Sequence, residues 1–151
     1  MSTTENVAEL LAVTEETKGT VSGTIKGKIT HWGSGIITEF DAPYIWRDHE
    51  QRFRFFGNMD DPNLPGNKIS VGLTFKDADQ GSGDFQWDDE EIEDLFFANW
   101  RPDQILRAQS GSVTFRRNAE DRIHGRLEFI TRPIELNQYT VEVIYDIEAP
   151  R

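Results

Sequence analysis

Cysteine is absent from this chain of 151 residues, which rules out disulfides, thiolate metal centres, iron–sulfur clusters and a cysteine nucleophile. The fold must therefore be held by its core. Histidine is scarce, and His31, His49 and His124 are too scattered along the chain to suggest a metal triad. Basic charge is also in short supply, with 16 Lys and Arg against 27 Asp and Glu, a formal net charge of -11. That surplus repels phosphate backbones, so nucleic acid is not an expected partner. No apolar run approaches the roughly 20 residues that cross a bilayer, and no membrane span is expected. Glu9, Glu15 and Glu16 interrupt the apolar residues Val7, Leu10 and Leu11, so no secretory core segment forms and a soluble, cytoplasmic protein is expected. Phosphate-binding Gly-rich loops, Gly-x-Ser-x-Gly elbows and His-Glu-x-x-His helices are all missing.

What the chain does contain is alternation. Residues 1–18 read as an N-terminal tail, with a short docked helix conceivable over Val7 to Val13, and residues 19–151 read as a single β domain. Val21, Gly23, Ile25, Gly27 and Ile29 share one parity from Thr20 to Thr30, with Ser, Thr and Lys on the other. Ile69, Val71, Leu73 and Phe75 repeat the pattern, as do Ile123 to Phe129 and Tyr139 to Ile147. Period-two alternation marks half-buried strands. Gly35 to Phe40, Gln51 to Phe56, Asp84 to Trp87, Gln104 to Ala108 and the Val113 and Phe115 pair supply weaker candidates. About eight strands with short turns predict an all-β antiparallel sandwich or closed barrel. One short inserted helix is expected over Asp89 to Trp100, where Ile92, Leu95, Phe96 and Asn99 fall at helical spacing and Pro102 follows. A hairpin is expected between the Val113 and Phe115 pair and the segment Ile123 to Phe129, pairing Val113 with Gly125 and placing Arg116 opposite Arg122.

Four groups of residues carry candidate chemistry. The run Asp77, Asp79, Asp84 and Asp88, interspersed with Gly81 and Gly83, has the carboxylates a calcium loop needs, but it lacks the ligand order of an EF-hand. A polar hairpin loop explains it as well. No cofactor is expected, and calcium is the one to test. A second acidic loop, Asn58 to Asn63, has the same ambiguity. The segment Asp88, Asp89, Glu90, Glu91, Glu93 and Asp94 would suit a basic protein partner through long-range attraction, or would fold over the arginines of the second half. Trp32, Tyr44, Trp46, Trp87 and Trp100 fall near predicted loops, where flat aromatic faces suit sugar rings or other small ligands. They serve equally well as plugs of a β core.

These features order the functions. A non-catalytic binding module that holds a carbohydrate or another small ligand through loop aromatics comes first. An acidic protein-interaction domain, such as an inhibitor, immunity or assembly component, is the alternative. A small enzyme using a carboxylate pair is third, because no catalytic constellation can be assembled residue by residue.

Overall fold

The computed structural model describes residues 20–48 and 52–150. The N-terminal tail with Val7 to Val13, and His49, lie outside them. Ten strands follow in chain order: β1 (Gly23–His31), β2 (Ile37–Asp41), β3 (Tyr44–Asp48), β4 (Phe53–Asp60), β5 (Lys68–Phe75), β6 (Gly83–Gln86), β7 (Ile92–Asn99), β8 (Gln104–Arg117), β9 (Ile123–Thr131) and β10 (Tyr139–Ile147). They form one curled antiparallel sheet in the order β2-β1-β10-β9-β8-β7-β5-β4-β3, with β6 pairing β8 off that path. No helix among the described residues is long and apolar enough to cross a membrane.

Alternation delivers one parity of each strand to a shared interior. Ile25, Ile29, Phe53, Phe55, Val71, Leu73, Phe97, Phe115, Leu127, Val143 and Tyr145 all belong to that main core. Two glycines are needed where the sheet packs tightly. A Cβ on Gly125 would lie 1.8 Å from the Thr114 carbonyl oxygen on the neighbouring strand, beneath the Tyr145 hydroxyl that donates to the same oxygen at 2.8 Å. A Cβ on Gly72 would lie 2.6 Å from that of Phe56 and 2.7 Å from the Phe96 ring.

The expected helix does not exist; Ile92–Asn99 is strand β7. Two physical effects imitate the helical period. The pairing of β7 with β5 shifts between Thr74 and Phe75, so Glu93 is extra and Ile92 reaches the core face three residues before Leu95. Beyond it, Leu95, Phe96, Phe97 and Ala98 are all buried, because β7 carries side chains of the main core on one face and a second apolar cluster on the other. That second cluster consists of Trp46, Phe56, Phe96 and Ala98, with Trp100 and Ile105 against it.

The strand count differs from about eight for related reasons. Tyr44 to Asp48, expected as a connection, is a strand in which Ile45, Trp46 and Arg47 are all buried. The candidates at Gln104 to Ala108 and Val113 to Phe115 are one fourteen-residue strand with an irregularity between Ala108 and Ser110. The β8–β9 hairpin is real, but its register is two residues from the expected one. Val113 faces Leu127, Phe115 faces Gly125 and Arg116 faces His124. A slip of two keeps every side chain on its expected face and removes the unfavourable arginine pair.

Four arginines of the second half are paired with carboxylates without a covering helix. Arg116 pairs with Asp84 at 2.8 Å, Arg107 with Asp94 at 3.2 Å, Arg117 with Asp121 at 2.6 Å and Arg122 with Asp146 at 2.7 Å.

Candidate functional site

The strand register brings one set of strand ends together: the end of β1, the starts of β2, β5 and β10, and the ends of β4 and β7. A cavity of about 320 Å³ opens there. Its apolar part includes Ile29, Ile36, Ile69 and Phe97, and its polar part includes His31, Ser34, Thr38, Asp61, Asn63, Asn99 and Tyr139. An apolar wall with a few convergent polar groups is the usual construction of a small-ligand site, and the mouth of a curled β sheet is a usual place for one.

Each polar group is held in place. The Asn63 amide nitrogen donates to Asp61 Oδ1 at 2.8 Å, and Asn63 Nδ2 donates to Thr38 Oγ1 at 2.6 Å, tying the β4–β5 loop to β2. Asn67, itself buried, donates through Nδ2 to Asp61 Oδ2 at 3.0 Å and to Asn99 Oδ1 at 2.6 Å. His31 Nδ1 is held by Ser34, whose backbone N–H donates to it at 3.1 Å and whose Oγ lies 2.8 Å away. His31 Nε2 then donates to Asn137 Oδ1 at 3.0 Å. Both ring nitrogens are engaged within the protein, and the imidazole edge packs on Tyr139 with centroids 5.1 Å apart. Burial raises the Tyr139 phenol above its ordinary value, a hydrogen bond with Asn99 opposes this, and the Asp61 charge adds to it. The phenol is therefore a neutral hydroxyl at neutral pH.

Sequence reasoning missed this site. Asp61 and Asn63 fell in a loop noted for its acidity, but His31, Asn99 and Tyr139 are far apart in sequence and only the register of the sheet unites them. No local signal exists that would have found them.

The five aromatic candidates do not converge on one concavity. Trp32 is 51% exposed, and its Nε1 donates to Thr140 Oγ1 at 2.8 Å. Trp46 is 5% exposed and stacks on Phe56 at 5.6 Å. Tyr44, exposed, shares with Trp46 a groove of about 400 Å³ that includes Asn58, Asp60 and Lys68. Trp87 is half-buried against the main core. Trp100 packs on the second cluster and donates through Nε1 to Ser70 Oγ at 2.7 Å.

The acidic candidates are likewise dispersed. Asp77 Oδ1 accepts the Asp79 amide at 2.9 Å in a local turn, whereas Asp84 pairs with Arg116. No group of three or more His, Asp or Glu side chains suited to a metal ion forms among the described residues. Calcium titrated into a thermal melt is accordingly expected to leave the melting temperature unchanged, because a ligand specific to the native state must raise it. A saturable rise of several degrees that magnesium fails to reproduce would restore Asp77, Asp79, Asp84 and Asp88 as ligands. Glu93 pairs with Arg52 and Asp94 with Arg107, and Asp89 Oδ2 accepts the Gln86 amide at 2.9 Å. Asp88, Glu90 and Glu91 remain on an exposed turn before β7.

A second concavity, about 660 Å³, is a broad groove on the outer face of β1, β2, β9 and β10. Four of its charges compensate one another, Lys28 with Glu142 at 3.7 Å and Arg126 with Glu128 at 3.5 Å. The smaller mouth cavity is the better site, because its polar groups converge over an apolar wall. No protein-family model, curated protein or solved structure matches this chain.

Proposed function

We propose that this protein is a non-catalytic binding module that holds a small ligand in the mouth cavity. One observation carries the reading: His31, Asp61, Asn63, Asn99 and Tyr139, drawn from four separate parts of the chain, line a cavity walled by Ile29, Ile69 and Phe97. The hydrogen bonds that hold these side chains give the preorganisation that lowers the ordering cost of binding. A carbohydrate held by loop tryptophans is less well supported, since Trp32, Trp87 and Trp100 diverge. A basic protein partner at the acidic segment is also less well supported, because Asp89, Glu93 and Asp94 are engaged within the fold.

The cavity belongs to a closed barrel on this reading. Support comes from the Val21 N–H, which donates to the Ile45 carbonyl at 2.9 Å, and from a bridge between Thr20 and Trp46, which together join the segment before β1 to β3. These contacts cover the free edge of β3 and leave the interior reachable from its ends.

A ligand-detected NMR screen of monosaccharides, small alcohols and small amines tests the proposal, run beside the variant Thr38→Trp, which sets a bulky ring at the rim. Compounds that bind the wild type are expected to lose at least about ten-fold in affinity, or about 1.4 kcal/mol, on that substitution. Hits that survive Thr38→Trp unchanged would place binding elsewhere and remove the mouth as the site.

A further inference from the structure

We infer that the mouth cavity selects a small organic cation, a primary ammonium carrying an apolar group, with Asp61 as its counter-ion. This rests on the ligand-binding reading of the same cavity and adds the chemical class. Among the described residues, Asp61 is the one carboxylate that lines the cavity, and no lysine or arginine lines it. His31 is committed within the protein, with Ser34 at Nδ1 and Asn137 at Nε2, so neither ring nitrogen is left to pair with Asp61.

Both Asp61 oxygens are bound by neutral donors, the Asn63 amide and the Asn67 side chain. No described lysine or arginine pairs with it, whereas Asp60 beside it pairs with Lys68 at 2.8 Å. Each carboxylate oxygen accepts more than one hydrogen bond, so acceptor capacity remains on a half-buried carboxylate facing a cavity. The influence of the Asp61 charge on the Tyr139 phenol agrees with that placement.

The choice among ligand classes then follows from desolvation. A neutral occupant would exclude water from an ionised carboxylate without replacing its charge, which is costly. An anion would add repulsion from Asp61 to that of a chain with net charge -11. An ammonium does neither: it replaces water with a charge-assisted hydrogen bond, about twice as strong as a neutral one. Phe97 and Tyr139, with ring centroids 4.5 Å apart, offer the attached group an aromatic wall and the cation a π face. Ile29 and Ile69 complete the apolar part.

Calorimetric titration with benzylammonium, benzyl alcohol and benzoate, which share one ring and differ in charge, tests the inference. Benzylammonium is expected to bind at least about ten-fold more tightly than benzyl alcohol, and benzoate not at all. The Asp61→Asn variant is expected to bring the amine and the alcohol within about two-fold of each other. Should that variant fail to fold, Thr38→Trp gives the site control, since cavity-bound benzylammonium must be weakened there too. Equal binding of amine and alcohol, both weakened by Thr38→Trp, overturns the cation inference and leaves the cavity as a ligand site. Amine binding that survives both substitutions is general attraction to an acidic surface and overturns it as well. No binding of any of the three, with no rim-sensitive hit in the broader screen, removes the inference and the site together.

Discussion

Asp121→Asn is expected to cost about 1 to 3 kcal/mol of folding stability, since it removes the charge from hydrogen bonds to two arginines at a carboxylate that is one third exposed. Two cations share that carboxylate. Arg47 is on strand β3 with its side chain fully buried, and its guanidinium donates to Asp121 Oδ1 at 2.6 Å and to the carbonyls of Asp121 and Glu148. Arg117 donates to the same Oδ1 at 2.6 Å. The two guanidinium carbons lie 5.0 and 4.8 Å from the centroid of the Phe53 ring, so one carboxylate and one aromatic ring serve two cations. Asparagine keeps the shape, and it tolerates the left-handed backbone that Asp121 adopts at a φ of 62°. The change therefore isolates the charge. Partial burial pushes the Asp121 carboxyl up, but the Arg117 hydrogen bond and the charges of Arg47 and Arg117 outweigh it, and the folded value lies below the ordinary one. A depressed carboxyl contributes stability that is present above its unfolded pKa and lost as pH falls through the folded value. Urea melts of both proteins across the acid range should show their gap closing toward low pH. A gap under about 1 kcal/mol at neutral pH, or one independent of pH, would show that the cluster is not held by this charge.

This cluster shows where the sequence was legible and where it was not. Strands with one solvent face, such as β1, β9 and β10, announce themselves by alternation, and Ile25, Ile29, Leu127 and Val143 reach the core as expected. Strand β5 was found by the same signal, yet Ser70 and Thr74, on its polar parity, are buried beside the second apolar cluster. Strands β3 and β7 carry buried residues on both faces, so their alternation vanishes and β7 imitates a helix. Register is invisible for a different reason. A two-residue slip in the β8–β9 hairpin changes no face, and it is set by a turn in which Asp121 takes a left-handed conformation and binds Arg47 from a distant strand. Arg47 itself gave no signal, since a basic residue in an expected connection reads as solvated. The mouth site was hidden for the same reason, because it exists only once β1, β7 and β10 are in register.

Trp46→Ala is expected to cost about 3 to 5 kcal/mol, while Trp32→Ala costs no more than about 1 kcal/mol. Both residues were candidates for a ligand platform, and their environments now differ. Trp46 is 5% exposed, its ring lies nearly parallel to Phe56 at 15°, and it belongs to a cluster with Phe96 and Ala98. Truncation would remove that apolar burial and leave a void against Phe56. Trp32 is 51% exposed and would give up one exposed hydrogen bond, to Thr140, which water replaces at little cost. A third variant separates packing from polarity at the buried position. The Trp46 Nε1 is buried without a hydrogen-bond partner, so the indole loses part of what its area contributes. Trp46→Phe removes that donor while keeping most of the ring, and its expected cost is under about 1.5 kcal/mol. Denaturant melts of the three variants give the order Trp46→Ala, then Trp46→Phe, then Trp32→Ala close to wild type. A cost under about 1 kcal/mol for Trp46→Ala would show that the second cluster does not stabilise the sheet, and would return Trp46 to the ligand-facing role beside Tyr44.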